Sequence, residues 1–201
     1  MKSWKRQPVV SAALVIINAI VLVVCMFAGD LLYDKGGLDV FHVLLKKEYA
    51  RIIWSMFLHA DTHHLFSNMI LLFFVGAMIE KEVGHVKFAL LYFWSGIGGG
   101  ILSLAYKVMM NDAAMSVGAS GAVFGLDGVL LAMALLWREG LSDLTPAKVG
   151  LMIVLSLYGG FAGGNIDNAA HVGGLAAGFV GGCIVCLLQR IKHRQSKQIY
   201  Q

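Results

Sequence analysis

The sequence runs to 201 residues, 58% of them hydrophobic and 14% charged, with a mean hydropathy of +0.74. Soluble domains carry roughly 25% charged residues, so this chain has too little polar surface to face water on every side and reads as one integral membrane domain. Its net charge of +4 gathers near the two ends, in Lys2, Lys5 and Arg6 and in Arg190, Lys192, Arg194 and Lys197. There it suits anionic lipid headgroups, and no basic stripe interleaved with aromatics points to a nucleic acid.

Six apolar stretches are long enough to approach the roughly 20 residues of a membrane-crossing helix: about 8–28, 63–80, 87–106, 120–137, 147–163 and 170–188. They predict an all-α, polytopic membrane protein with six transmembrane helices in a single domain over 1–201, its core about 8–188, with short tails at both ends. The apolar run behind the basic N-terminus lacks a small-residue cleavage site and reads as a retained first span. Pro8 and Pro146 each stand where a span begins, the helix position that best tolerates proline. With the N-terminus inside, the inner segments carry eleven Lys and Arg and the outer segments five, which predicts both termini on the cytoplasmic side. Cys25, Cys183 and Cys186 all lie in apolar runs and read as packing residues, with no disulfide framework.

The first loop, about 29–62, is long and unusually apolar (Val40, Phe41, Val43, Leu44, Leu45, then Ile52, Ile53, Trp54). That composition argues against disorder. It predicts an element lying partly in the headgroup layer.

Strongly polar groups inside spans are costly and mark function by default. His64 and Asn68 fall near the start of span two, Ser120 opens span four, and His171 falls near the start of span six. Alternate spans run in the same direction, so all four residues share one depth, in the outer half of the membrane. Small residues recur every three or four positions beside them: Gly121, Gly125, Gly128 and Ala132 in span four, and Ala170, Gly174, Gly178 and Gly182 in span six. Such stripes let helix backbones come close in lipid. Close packing of these two spans would bring a hydroxyl to an imidazole, the pairing that a weak alcohol nucleophile needs. A serine at a helix start can also be a plain N-cap, but that start presents unpaired N–H groups suited to an oxyanion. The glycines of Gly118-Ala119-Ser120-Gly121 leave room for a substrate backbone. His64 and Asn68, four apart, share one helical face and offer further donors. Asp127 lies two turns below Ser120 and has no assigned role. His59, His63 and His64 could suggest a metal transporter. A translocation path needs polar groups through the full depth, however, and the inner halves of the spans offer little beyond Asp127.

Three segments carry a family resemblance: His64-Leu65-Phe66-Ser67-Asn68, Gly118-Ala119-Ser120-Gly121, and Ala170-His171-Val172-Gly173-Gly174 with Gly178. In order and span they resemble the signature motifs of rhomboid proteases, over roughly 50–188. The resemblance implies a six-span serine endopeptidase that needs no cofactor or metal and cleaves the transmembrane segments of other membrane proteins. By position Ser120 resembles the nucleophile and His171 the general base. His64, Asn68 and the Ser120 backbone N–H resemble the oxyanion hole, with Gly118, Gly121 and Phe124 supporting the substrate site. It further implies a bacterial plasma-membrane protein, sufficient as a monomer, whose site opens to the outer side. His59 resembles a structural histidine of the family, and the fifth span with Gly159–Asn168 its mobile gate and cap. Two departures stand out. Phe124 occupies the place of a common tyrosine that stacks on the catalytic imidazole, and Tyr49-Ala50-Arg51 stands where a Trp-Arg pair is frequent.

Overall fold

The computed structural model describes residues 7–137, 145–161 and 166–199. The basic residues Lys2, Lys5, Arg6 and Arg138, and the middle of the expected cap loop, 162–165, lie outside these. Nine α-helices follow one another in the described residues: α1 Val9–Ala28, α2 Leu31–Gly36, α3 Arg51–Trp54, α4 Thr62–Leu71, α5 Ala77–Val83, α6 His85–Met110, α7 Ser120–Leu136, α8 Pro146–Phe161 and α9 Asn168–Ile199. A π-helical turn, Leu72–Gly76, joins α4 to α5, so that 62–83 forms one long rod. The only β pairing among the described residues is an isolated bridge between Leu38 and Ser116.

Four of the rods are long and apolar enough to cross a membrane: Val9–Ala28, Thr62–Val83, His85–Met110 and Asn168–Arg190. These apolar helices give an integral membrane protein with a polytopic helical fold. The two other expected spans are shorter. α7 has 17 residues, about 25 Å at 1.5 Å per residue, against a hydrocarbon core of about 30 Å. A helix of that length crossing a bilayer leaves one end recessed.

Burial sorts the helices by role. α7 is enclosed on nearly every side, with Val123, Phe124, Leu126, Val129, Leu130 and Met133 all buried. α1 is the opposite case, for Ile16, Ile17, Ile20, Val23 and Val24 are all exposed, as a lipid-facing surface requires. In lipid, apolar burial gives little drive for helices to associate, and close packing replaces it. The small-residue stripes supply that packing. A Cβ built on Gly174 would lie 1.9 Å from the Gly121 carbonyl oxygen, and one on Gly178 1.9 Å from that of Gly125. α6 closes the other side of α9 through its own glycines, Gly98 and Gly99, which meet Gly173, Ala177 and Ala170.

The first loop is folded. Leu38, Val43, Met56 and Leu58 are buried, while Phe41, Leu44, Leu45 and Trp54 are exposed. Arg51 is its anchor: Nη1 donates to the Gly37 carbonyl at 3.0 Å and Nε to Glu48 at 2.6 Å, with Asp39 at 3.8 Å. Asp39 also accepts from the His42 backbone N–H and pairs with its ring. Burial opposes ionisation of Asp39, but those hydrogen bonds and the Arg51 charge outweigh it and hold the carboxyl below its usual range.

Candidate active site

Ser120 is the first residue of α7, and the position before it is Ala119, whose side chain cannot cap the helix. Ser120 is therefore not the N-cap that a serine at a helix start commonly is. The first-turn N–H groups lack intrahelical acceptors, and the Ser120 side chain is free of capping duty.

The segment leading to Ser120 is fixed at successive residues. Ser116 exchanges two backbone hydrogen bonds with Leu38, the Gly118 N–H donates to the Ser55 carbonyl at 2.9 Å, and the Ala119 N–H donates to His59 Nε2 at 3.4 Å. His59 is wholly buried. Burial, with help from the neighbouring His64, lowers its pKa to about 4, so its ring is neutral and Nε2 can accept. The hydroxyl of Tyr33 donates to the His59 carbonyl at 2.6 Å. The long first loop thus holds the approach to Ser120.

Gly118 has a φ of +134°, a region that L side chains rarely adopt. A Cβ there would lie 2.6 Å from His64 Cε1 and 2.9 Å from its Nε2, so the His64 ring sits directly over this segment, the strap 116–119 that leads into α7. Asp61 starts α4 by accepting from the His64 N–H at 2.8 Å, and that hydrogen bond, the largest of several causes, keeps its carboxyl below the ordinary range. Asn68, one turn on, donates from Nδ2 to the His64 carbonyl at 3.0 Å, so one of its amide hydrogens is already used.

His171 lies in the first turn of α9 and is buried. The ring of Phe124, one turn after Ser120, stacks on it with centroids 4.1 Å apart and planes 18° from parallel. His171 Nδ1 has no hydrogen-bond partner, and no hydrogen bond links Ser120 to His171 among the described residues. Ser120, Gly118, Gly121, Ser55, Asp167 and Ala170 line part of the wall of a cavity of about 30 Å³, room for one or two waters.

Of the residues that the sequence proposed for the site, His64 lies over Gly118, Asn68 bonds the His64 carbonyl, Phe124 stacks on His171, and Gly118, Ser120 and Gly121 line the cavity. The sequence reading overlooked Asp167, which accepts from the Ala170 N–H at 2.9 Å and from the hydroxyls of Ser103 and Ser116. Its signal was present, as an aspartate just ahead of a helical run is an N-cap signature. Asp127 is buried two turns below Ser120 and leaves Oδ2 unpaired.

Comparison with known proteins identifies relatives of the chain. Residues 46–188 match the family model of the rhomboid domain. The chain is 38% identical over 156 residues to RHOMBOID-like protein 1 of Arabidopsis thaliana, covering 76% of this chain and 39% of that one. It is 36% identical over 137 residues to Rhomboid protease GluP of Bacillus subtilis, covering 68% and 26%. Rhomboid-like protease 1 of Toxoplasma gondii is 38% identical over 135 residues, covering 64% and 44%. The chain spans less than half the length of each of these three relatives. The matched segment takes in all three polar motifs, and the chain belongs to the rhomboid family.

Proposed function

We propose that this chain is an intramembrane serine protease that cleaves transmembrane segments of other membrane proteins. Ser120 is the nucleophile and His171 the base. The observation that carries the reading is the stacking of His171 on Phe124, one turn from a serine whose side chain is released from capping. Membership of a family that includes the proteases of Bacillus subtilis and Toxoplasma gondii supports it.

In this reading Ser120 Oγ attacks the scissile carbonyl while His171 takes the hydroxyl proton, then returns it to the leaving amine. The direct Ser120–His171 contact forms when substrate binds, since catalytic hydrogen bonds often tighten only then. The developing oxyanion needs donors waiting in a dry site. The Ser120 N–H supplies one, His64 another, and the remaining amide hydrogen of Asn68 a third. Gly118 and Gly121 keep the substrate path clear. The chain works as one six-span domain in a bacterial plasma membrane, with both termini cytoplasmic and the site on the outer side. The short α7 suits that placement: with its inner end at the cytoplasmic face, the end that carries Ser120 stops short of the outer surface. A monomer suffices and no cofactor takes part.

The test is cleavage of a labelled transmembrane substrate in proteoliposomes. Ser120→Ala and His171→Ala should abolish cleavage in folded protein, and a fluorophosphonate should label Ser120 alone. His64→Ala and Asn68→Ala should each lower turnover by roughly 10²–10³ with little change in KM, because the lost contact strengthens in the transition state. His64→Ala enzyme should still react with the fluorophosphonate and His171→Ala should not. Proteolysis surviving in Ser120→Ala protein would overturn the reading.

A further inference from the structure

Ser116 lies four residues before Ser120, and Asp167 four residues before His171. The two meet: the Ser116 hydroxyl donates to Oδ2 of Asp167, and the Ser103 hydroxyl on α6 donates to the same oxygen. The other oxygen accepts from the Ala170 N–H at 2.9 Å and so caps α9. The Asp167 carbonyl receives the His171 N–H at 3.2 Å. One carboxylate therefore joins the strap that delivers the nucleophile, the helix that delivers the base, and the buried face of α6. Three donors on an acceptor-only group are what a carboxylate is built to satisfy, and Asp167 also lines the cavity beside Ser120.

We propose that Asp167 is a positioning residue that sets the register between the Ser120 strap and the His171 helix through its bridge to Ser116 and Ser103. The inference rests on the Ser120–His171 reading above and gives that dyad a device for its spacing. A serine and an imidazole carried on different helices are productive only within a narrow range of separation, and a misplacement of about 1 Å can cost 10²-fold. The glycine stripes fix how close α7 and α9 lie. They do not fix how far the strap slides along α9, and the carboxylate bridge does.

The variant that separates bridge from cap is Asp167→Ser. Serine caps a helix as well as aspartate does, but its hydroxyl is too short to cap α9 and reach Ser116 and Ser103 together. Asp167→Ser should stay folded with a lowered thermal midpoint, because the Ser116 and Ser103 hydroxyls lose their acceptor, while kcat per folded molecule falls roughly 10- to 100-fold, with KM unchanged. Asp167→Asn, which keeps the cap and can re-pair with the reoriented hydroxyls, should recover much of that loss. Ser116→Ala should lower kcat in the same sense and add little to Asp167→Ser, as expected of residues in one network. Fluorophosphonate labelling of Ser120, with its rate normalised to folded protein, should follow kcat. If Asp167→Ser reacts and cleaves at the wild-type rate while labelling still requires Ser120 and His171, the bridge is only a helix cap and the inference falls alone. If labelling of the wild type does not require Ser120 and His171, the dyad falls and this inference with it.

Discussion

The centre of the bundle and its first helix are held by opposite means. Along their glycine stripes α7 and α9 meet backbone to backbone: glycine faces carbonyl at Gly174 and Gly121, and again at Gly178 and Gly125. α1 instead is tied by its end. The carboxylate of Glu80, fully buried at the foot of α5, accepts from the Val10 and Ser11 backbone N–H groups at 2.8 Å each, from the Ser11 hydroxyl at 2.6 Å, and pairs with His85 at 2.6 Å. It satisfies first-turn donors that α1 cannot satisfy itself. The packed seam fixes distance to a fraction of an ångström, whereas the tethered end fixes attachment and leaves the rest of α1 facing lipid. Candidate catalytic residues sit on the seam, where spacing decides the rate.

The seam is the place to break first. Gly174→Ala puts a methyl group where the Gly121 carbonyl already lies, 1.9 Å away, and backbone cannot swing aside as a long side chain can. α7 and α9 must part, and turnover should fall at least about 100-fold. Gly150→Ala in α8, where a Cβ meets nothing within 4 Å, is the matched control and should leave cleavage unchanged. The tether should respond in the other currency. Glu80→Gln turns an amide N–H₂ toward donors and weakens charge-assisted bonds, for a loss of about 3 kcal/mol of stability. Turnover per folded molecule should stay within about twofold. If Glu80→Gln lowers kcat as much as Gly174→Ala does, α1 is part of the spacing device and the contrast is wrong.

The sequence made the seam legible because its signal is periodic: glycines every three or four residues beside a serine in one span and a histidine in another. It made the four polar residues legible because a membrane span has few reasons to hold them. The fixings of the strap were harder to read. His59 to Ala119 and Asp167 to Ser103 and Ser116 each link residues more than fifty positions apart, and nothing local announces such a partner. Arg51 was visible only as a departure from a frequent Trp-Arg pair, yet it anchors the first loop through Gly37 and Glu48. The glycines of α6 carry no polar motif beside them, so nothing in the sequence marks α6 as a third helix in the seam. Helix lengths were legible within a few residues, except that α9 runs on to Ile199, well past the expected end at 188.

The last test bears on the strap, which joins the first loop to the seam and carries a titratable group of its own. His59 accepts from the Ala119 N–H only while its ring is neutral. Burial lowers its pKa from 6.5 to about 4, so in the interval between those values an unfolded chain binds a proton that the folded chain refuses. Stability then rises with pH wherever the unfolded state holds more protons. The contribution of His59 is complete above about pH 6.5 and is lost as the pH falls toward 4, with a slope of at most about 1.4 kcal/mol per pH unit. The thermal midpoint in detergent micelles should therefore decline over that interval. Turnover per folded molecule should hold through most of the interval and fall only as the pH nears 4, where protonation of the folded ring removes the acceptor from the residue next to Ser120. In His59→Gln protein an uncharged carbonyl can take the Ala119 N–H, so the variant should be less stable at neutral pH but flatter across the interval. A decline of the same slope in His59→Gln would place the sensitive group elsewhere and leave the strap held by its bonds to Leu38, Ser55 and Asp167.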